Sequence, residues 1–398
     1  MSWLNDVMKQ HEEYESPKNF WYWSALCSMS AVLRDNIYLD KFAYKMYPNI
    51  YVMLHADSGL RKGPPVAMAN ELVTTVGNTK MVTGRFSIQG LLKKLGTAES
   101  RPGGKIESVT SAFICSSELT SSIVEDKAAT VILTALYDRN YNVGEWESVL
   151  KMENFTLNKP VVAMLGATNE AHFSNFFTGS DVRGGYIART FVIYETERQT
   201  INSLMFPPKV RTDHKASAEY LKALAKLRGP VEMDESTRIT FDKWYKGFVH
   251  AVSRNGLKDP TGALNRFDDN VLKIALLISL SSSLELKITQ DAIDEAIEHC
   301  EKLIGNVRRT TMGSEPYEWV THKTVLIQEL IDRPENKISR QQFLSKHWTM
   351  ANSRDWDIVA ESLQEAGFIS IEQMGPHIFY VMSEDKAMDW KKHFKGKN

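Results

Sequence analysis

Between Phe20 and Leu33 the apolar residues Phe20, Trp21, Trp23, Leu26, Met29, Val32 and Leu33 recur at spacings of three and four, the period of a helix that hides one side. Residues 1 to about 45 are therefore predicted to be helical, with this aromatic face in the core; stacking of Trp21 or Trp23 on a nucleobase is the other use of such a face. After Asn49 the period changes. Short apolar runs at 50–55, 112–115, 161–166 and 190–194 alternate with helical patterns near 66–76 and 127–137. Strands of this length between helices predict an α/β fold with a mostly parallel sheet covered on both faces. Residues 96–105, centred on Arg101-Pro-Gly-Gly104, predict an exposed loop. Residues 216–227 and 233–312 return to helical spacing, and Gly313-Ser-Glu-Pro316 has the composition of a linker.

Beyond that linker, 320–331 predicts one helix, Ser339 caps a second that runs to His347, and Asn352 or Ser353 caps a third that ends at Gly367. Two β-rich runs around Gly375-Pro376 follow. Three helices and a hairpin in this order predict a winged helix. In the third helix Trp356, Val359 and Leu363, with Phe368 just beyond, are expected to be buried, while Asp355, Asp357, Glu361 and Glu365 oppose the lone cation Arg354. The chain thus divides into a helical segment (1–45), an α/β core (46–205), a helical lid (206–313) and the winged helix (317–398).

Composition narrows the function without choosing one. With 398 residues, 43% hydrophobic and 24% charged, the chain can bury a sizeable core. A formal net charge of −1 excludes a nucleic-acid binder that works by bulk charge, so any DNA contact is local. Cys27, Cys115 and Cys300 lie far apart with no C-x-x-C, which argues against a zinc site or a disulfide frame and fits a reducing cytoplasm. The longest apolar run, 274–280, falls far short of the roughly 20 residues that cross a bilayer, and the N-terminus lacks a leader pattern; no membrane partner is expected.

The candidate chemistry begins at Asn49-Ile-Tyr-Val-Met-Leu-His-Ala-Asp-Ser-Gly-Leu-Arg-Lys-Gly63, where an apolar strand enters a small-residue loop that ends in Lys62 and opens a helix. This is the layout of a phosphate-binding loop, in which backbone N–H groups wrap the phosphates and a lysine bridges them. Ser58, Gly59, Arg61, Lys62 and Gly63 are the nucleotide-contact candidates; a strand followed by a polar turn is the plainer alternative. Ala112-Phe-Ile-Cys-Ser-Ser-Glu118 is an apolar strand that ends in a carboxylate able to polarise an attacking water. Val161-Val-Ala-Met-Leu-Gly-Ala-Thr-Asn169 delivers Thr168 and Asn169 to the same sheet edge as a γ-phosphate sensor. Gly184-Gly-Tyr-Ile-Ala-Arg189 sets Arg189, with Arg183 nearby, at the start of the next strand. An exposed strand end, a turn and a surface ion pair are the ordinary structural uses of these residues.

Tyr47-Pro-Asn-Ile-Tyr51, Ser58-Gly-Leu-Arg-Lys-Gly63, Ser117-Glu118, Leu165-Gly-Ala-Thr168, Gly185-Tyr-Ile-Ala-Arg189 and Arg266-Phe-x-x-x-Val-Leu-Lys-Ile-Ala275 occur in that order. Together they resemble the P-loop proteins of phages, plasmids and integrated elements called primase-associated helicases, of the AAA+ group, over roughly 15–305. Residues 266–303 are also similar to the helical lid of minichromosome-maintenance helicases, which a winged helix likewise follows. The resemblance implies ATP and Mg²⁺ as ligands, with Glu118 holding the ion through water. It makes Arg266 a lid arginine that reaches a nucleotide and Arg189 a finger that acts on a neighbouring subunit. It further implies a homo-oligomeric ring, hexameric in the relatives, with single-stranded DNA in the pore, a primase or polymerase as partner, and the cytoplasm of a bacterial host as setting. Residues 146–150 and 155–157 predict a β-hairpin around 151–154. Superfamily 3 and minichromosome-maintenance helicases carry such a hairpin with a basic tip on DNA. Lys151 is the matching DNA-binding candidate, a solvated turn lysine the alternative.

The departures bear on chemistry. Ala56 and Arg61 stand at the glycine positions of the phosphate loop, Gly63 at its hydroxyl, Ser117 at the Mg²⁺ aspartate, and Asp57 adds negative charge. Three functions stay open: an ATP-dependent DNA helicase or translocase, a nucleotide-binding but hydrolysis-deficient DNA-binding protein or helicase loader, and a winged-helix DNA-binding regulator.

Overall fold

The computed structural model describes residues 2–96, 99–100, 106–107, 111–123, 129–138, 145–149, 154–158, 160–169, 172–173, 185–203, 205–206, 208–254, 262–312, 317–333, 335–348 and 353–388. The chain forms two compact units, Met1–Met312 and Gly313–Asn398.

In the first unit α1 (Trp3–Gln10) and α2 (Lys18–Leu33) precede the short strands β1 (Ile37–Asp40) and β2 (Lys45–Met46). There follow β3 (Tyr51–His55), α3 (Gly63–Val76), β4 (Lys80–Val82) and α4 (Ile88–Gly96), then a two-residue ladder of β5 (Glu99–Ser100) with β6 (Ile106–Glu107). After it come β7 (Ser111–Ser116), α5 (Leu119–Ser122), α6 (Ala129–Asp138), the antiparallel pair β8 (Glu145–Val149) and β9 (Asn154–Asn158), β10 (Val161–Thr168) and β11 (Thr190–Tyr194). The unit ends with α7 (His214–Leu224), β12 (Gly229–Met233), α8 (Glu235–Arg254), α9 (Phe267–Ser282), β13 (Lys287–Ile288) and α10 (Gln290–Met312).

Its centre is a parallel five-stranded sheet in the order β11-β3-β10-β7-β4. Side chains alternate across it as the strand period demands. Val52, Leu54, Phe113, Cys115, Leu165 and Phe191 face one hydrophobic cluster, which contains α2, α3 and α9. Tyr51, Met53, Ile114, Val162, Met164 and Val192 face the other, with α4, α5 and α6. The three inner strands, β3, β10 and β7, are buried along their whole length, as expected of a sheet covered on both sides. The predicted strands at 50–55, 112–115, 161–166 and 190–194 are all present within a residue or two, and the expected hairpin is β8–β9; its tip, including Lys151, lies outside the described residues.

Three expectations for this unit are corrected. Residues 1 to about 45 are not helical throughout: helix ends at Leu33, and β1 and β2 join β12 and β13 in a second, four-stranded sheet. The β1 partner, Gly229 opposite Ile37, lies far along the chain, so no local period announces the pairing. The long helical reading of 233–312 is likewise broken by β13, which pairs with β12. Nor is α2 one-sided. Every residue from Phe20 to Leu33 is buried, because α2 packs on β3 and β10 with α1, α3, α7 and α9 around it.

The second unit runs α11 (Tyr317–Ile331), β14 (Lys337–Ser339), α12 (Arg340–His347), α13 (Ser353–Glu365), β15 (Ser370–Met374) and β16 (His377–Val381), with β16 central in an antiparallel sheet. Ser339 caps α12 by accepting from the Gln342 amide at 3.3 Å. Trp356, Val359 and Leu363 are buried beside Phe343, Leu330 and Tyr380, as expected of α13. Phe368 is not: it is 40% exposed, and Ile369 takes the inward place. The left-handed Gly367 (φ +70°) turns the chain after α13, with the Phe368 amide donating to Leu363 O at 2.8 Å, and this moves the inward position on by one residue. Asp357 leaves the acidic face as well, paired with Arg340 at 2.6 and 2.7 Å.

Candidate functional site

After β3 the chain runs through α3 to β4 on one side of the sheet, whereas after β10 it crosses to β11 on the other. The carboxyl ends of β3 and β10 therefore flank the point where the winding reverses, the place where open parallel sheets receive ligands. Four of the predicted groups meet there. The 56–62 loop leaves β3; Thr168 and Asn169 end β10, with Thr168 in register with His55; Glu118 follows β7, whose last residue is in register with Gly166. Because β10 lies between β3 and β7, Thr168 and Asn169 stand between the lysine loop and Glu118.

The loop is closed around its own lysine. Lys62 Nζ donates to Ala56 O at 2.7 Å and to Asp57 O at 2.9 Å, so the ammonium sits where the loop carbonyls converge. Partial burial lowers its pKa, while the nearby carboxylates of Glu118 and Asp57 oppose that shift. Gly59 (φ +93°) makes the turn. Ser58 is exposed beside it. Arg61 also adopts a left-handed backbone (φ +53°) and points to the N-terminal segment: its Nε donates to Glu15 at 3.0 Å, and its carbonyl accepts from Ser16 Oγ at 2.7 Å. Gly63 begins α3, but Pro64 and Pro65 follow it. Prolines suit a first turn, yet each removes an amide that would face an anion. An anion at this edge would accordingly meet Lys62 and the loop amides more than the helix end.

Gly166 fixes the carboxylate side. A β-carbon there would stand 2.4 Å from Leu119 Cδ2 and 2.7 Å from Leu119 Cβ. Only glycine lets α5 press this closely on β10, and Glu118 is the residue immediately before α5. Thr168 Oγ1 lies 3.2 Å from Thr120 Oγ1, and Asn169 Oδ1 accepts from the His172 amide at 2.9 Å. The residues present do not fit a Mg²⁺ held by the protein: Gly63 has no hydroxyl, Ser117 has no carboxylate, and among the described residues no three His, Cys, Asp or Glu converge.

The two arginines lie elsewhere. Thr190 pairs with Tyr51, the first residue of β3, so Arg189 stands at the amino ends of the strands, a strand length of roughly 15 Å from the loop. Arg189 Nε donates to Asp138 Oδ1 at 3.0 Å, its Nη2 bonds Asp138 Oδ2, and its Nη1 donates to Gly185 O at 2.7 Å. Arg266 joins the same carboxylate at 3.2 and 3.4 Å. Beside them runs a small cleft of about 50 Å³, lined among others by Tyr44, Lys45, Tyr137, Asp269 and Lys273. Lys273, buried in α9, donates to Asn49 O at 2.8 Å and Asn49 Oδ1 at 3.1 Å and lies 3.9 Å from the Tyr137 ring centroid. Burial pushes its pKa down to about 7, against the pull of Asp269 and Asp138. Lys41 bridges Asp268 and Asp269 at 2.6 Å each, and those carboxylates outweigh burial and raise its pKa.

The sequence singled out the arginines but not Asp138, which joins them, nor Lys273. One signal was available for the lysine: it interrupts the apolar run of α9 between Leu272 and Ile274. Asp138 had none, since an acid at the end of a helix is commonplace. Fold and site together define a mixed α/β protein whose parallel sheet carries a lysine loop at its winding reversal and an arginine pair at the opposite end. No protein-family model and no curated relative matches the chain.

Proposed function

We propose that the protein is an AAA+-like nucleotide-binding subunit that works as a ring on DNA, as an ATP-dependent helicase or translocase in the replication of a phage or mobile element. The observation that carries this reading is the meeting of Lys62, Glu118, Thr168 and Asn169 at the winding reversal, with the Glu118 carboxylate acting on the Lys62 ammonium. ATP binds with its phosphates on the 56–63 loop. Lys62 exchanges two backbone carbonyls for phosphate oxygens, Thr168 and Asn169 face the terminal phosphate, and Glu118 orients water. Arg189 and Arg266, at the other end of the sheet, serve the nucleotide of an adjoining copy. The β8–β9 hairpin faces single-stranded DNA in the pore, with Lys151 at its tip. The second unit, three helices and a hairpin closed by β14, acts as a winged helix that meets a primase or polymerase.

Pro64, Pro65, Gly63 and Ser117 favour a second reading, in which the ring binds nucleotide without turning it over and loads another helicase. One experiment tests both: titrate a fluorescent ATP analogue into the wild type and Lys62→Ala, and measure phosphate release with and without single-stranded DNA. Undiminished affinity in Lys62→Ala ends the phosphate-loop reading. Tight binding without phosphate release under either condition selects the loader.

A further inference from the structure

In the single subunit Arg189 is fully engaged by its own chain. Its three guanidinium nitrogens are all spent, two on Asp138 and one on Gly185 O, and its side chain is 9% exposed. The turn is shaped around it: Gly185 has φ +80°, and a β-carbon there would lie 2.7 Å from Arg189 Nη1. Arg266, just before α9, shares the carboxylate through longer bonds, and its side chain is 26% exposed. Asp138 therefore receives four donors from two arginines carried on separate elements, about the capacity of a carboxylate.

We infer that Asp138 is a lock that stores both arginines inside the single subunit, and that a second copy opens it by offering a nucleotide phosphate in place of the carboxylate. This rests on the ring reading of the proposed function. A terminal phosphate brings more charge and more acceptor oxygens than one carboxylate, so neither arginine is left buried without a counter-ion, and Asp138, as it gives them up, keeps the Lys273 ammonium in the same cleft as its neighbouring positive charge. It starts at Arg266, which is held by the longer bonds and is the more exposed. As Asp138 loses that partner and the phosphate approaches, Arg189 turns outward about Gly185. The lock keeps the arginines from drawing phosphate ligands to a subunit that has not assembled.

The test is arginine labelling of the full chain by phenylglyoxal, at a concentration where single subunits prevail, with each site read by peptide mass spectrometry. In the wild type Arg189 labels at least tenfold more slowly than the exposed Arg228. In Asp138→Asn, which keeps the shape but loses the charge, Arg189 labelling rises at least fivefold and Arg266 at least twofold, with Arg228 unchanged. Asp138→Glu, whose extra methylene breaks the two-point fit while keeping the charge, carries the same test if the amide variant does not fold; there Arg189 rises at least threefold. Unchanged Arg189 labelling in either folded variant overturns the lock. Sedimentation velocity with a non-hydrolysable ATP analogue supplies the second arm: release lowers the protein concentration for half-assembly about fivefold. If the wild type assembles and the variant does so no more readily, the lock is overturned and the ring stands. If labelling rises but neither protein assembles, the ring reading falls, and the exchange with a second copy falls with it.

Discussion

The two ends of the central sheet are built on opposite principles. At the carboxyl end, Lys62 donates to carbonyls of its own loop, Glu118 and Ser58 are exposed, and two prolines strip amides from the helix start. At the amino end, Arg189, Arg266, Asp138, Asn49 and Lys273 form interlocked ion pairs and hydrogen bonds, largely out of water. Charge at the first end is displayed and exchangeable; at the second it is stored. Stability and ligand affinity should therefore respond in opposite ways to substitution at the two ends.

The largest effect is expected from Arg189→Ala, which leaves Asp138 with Arg266 alone in a nearly dry site and should cost about 3–5 kcal/mol of unfolding free energy. Chemical denaturation of the first unit checks it, and a loss under 1 kcal/mol would show that the amino end stores little. Lys62→Ala is the counterpart. It should leave stability within about 0.5 kcal/mol, since its ammonium is only partly buried and bonds carbonyls of its own loop, yet weaken nucleotide binding by about 1.5–3 kcal/mol, measured by titration. Gly166→Ala probes the seam between the sheet and the carboxylate. The contact with Leu119 should cost about 1–3 kcal/mol by overpacking and displace Glu118, so nucleotide affinity should fall along with the melting temperature.

A pH series sharpens the contrast further. Lys273 binds its proton less readily folded, near pH 7, than unfolded, near 10.5. Between these values the unfolded chain holds more protons, so the contribution of Lys273 to stability rises with pH across that window and is flat below it. From pH 7 to 9 the wild type should gain about 2 kcal/mol relative to Lys273→Met in paired denaturation curves. A pH-independent difference would mean that the ammonium is as well solvated folded as unfolded. The smallest effect is expected in the second unit. With Glu361 and Glu365 on the outer side of α13, a 317–398 fragment should bind duplex DNA weakly, without sequence preference and with steep salt dependence; anisotropy titrations that find tight, salt-resistant binding to one duplex would reverse this.

Much of the first sheet was legible because buried parallel strands are short, continuous apolar runs, and 161–166 and 190–194 are hard to read otherwise. That the carboxyl-end candidates share one sheet edge was legible for a related reason: Thr168 ends β10, Asn169 and Glu118 lie within two residues of a strand end, and Lys62 closes the loop that leaves β3, so locating the strands places the residues. The amino end was not. Arg189 is visible in sequence, but its meaning depends on Asp138 and Arg266, 51 and 77 positions away in opposite directions, which no period or motif connects. The second sheet failed for the same reason, since β1 becomes a strand only when β12 arrives beside it. Phe368 misled through geometry: a single left-handed glycine changed which residue faces inward.

The helix buried on every side has a consequence for how the protein is made. A nascent chain presents the segment from Phe20 to Leu33, with Trp21 and Trp23, well before the sheet that shelters it is complete, since the last strand of that sheet ends at Tyr194. At typical elongation rates of about 5–20 residues per second, that interval lasts on the order of 10–30 s. Throughout it the ribosome carries an apolar helix whose native cover is incomplete, because β10 and β11 are still missing from the sheet beneath it. Production of this protein should therefore depend on early chaperone capture, and yield should improve at reduced temperature even where the finished fold is stable.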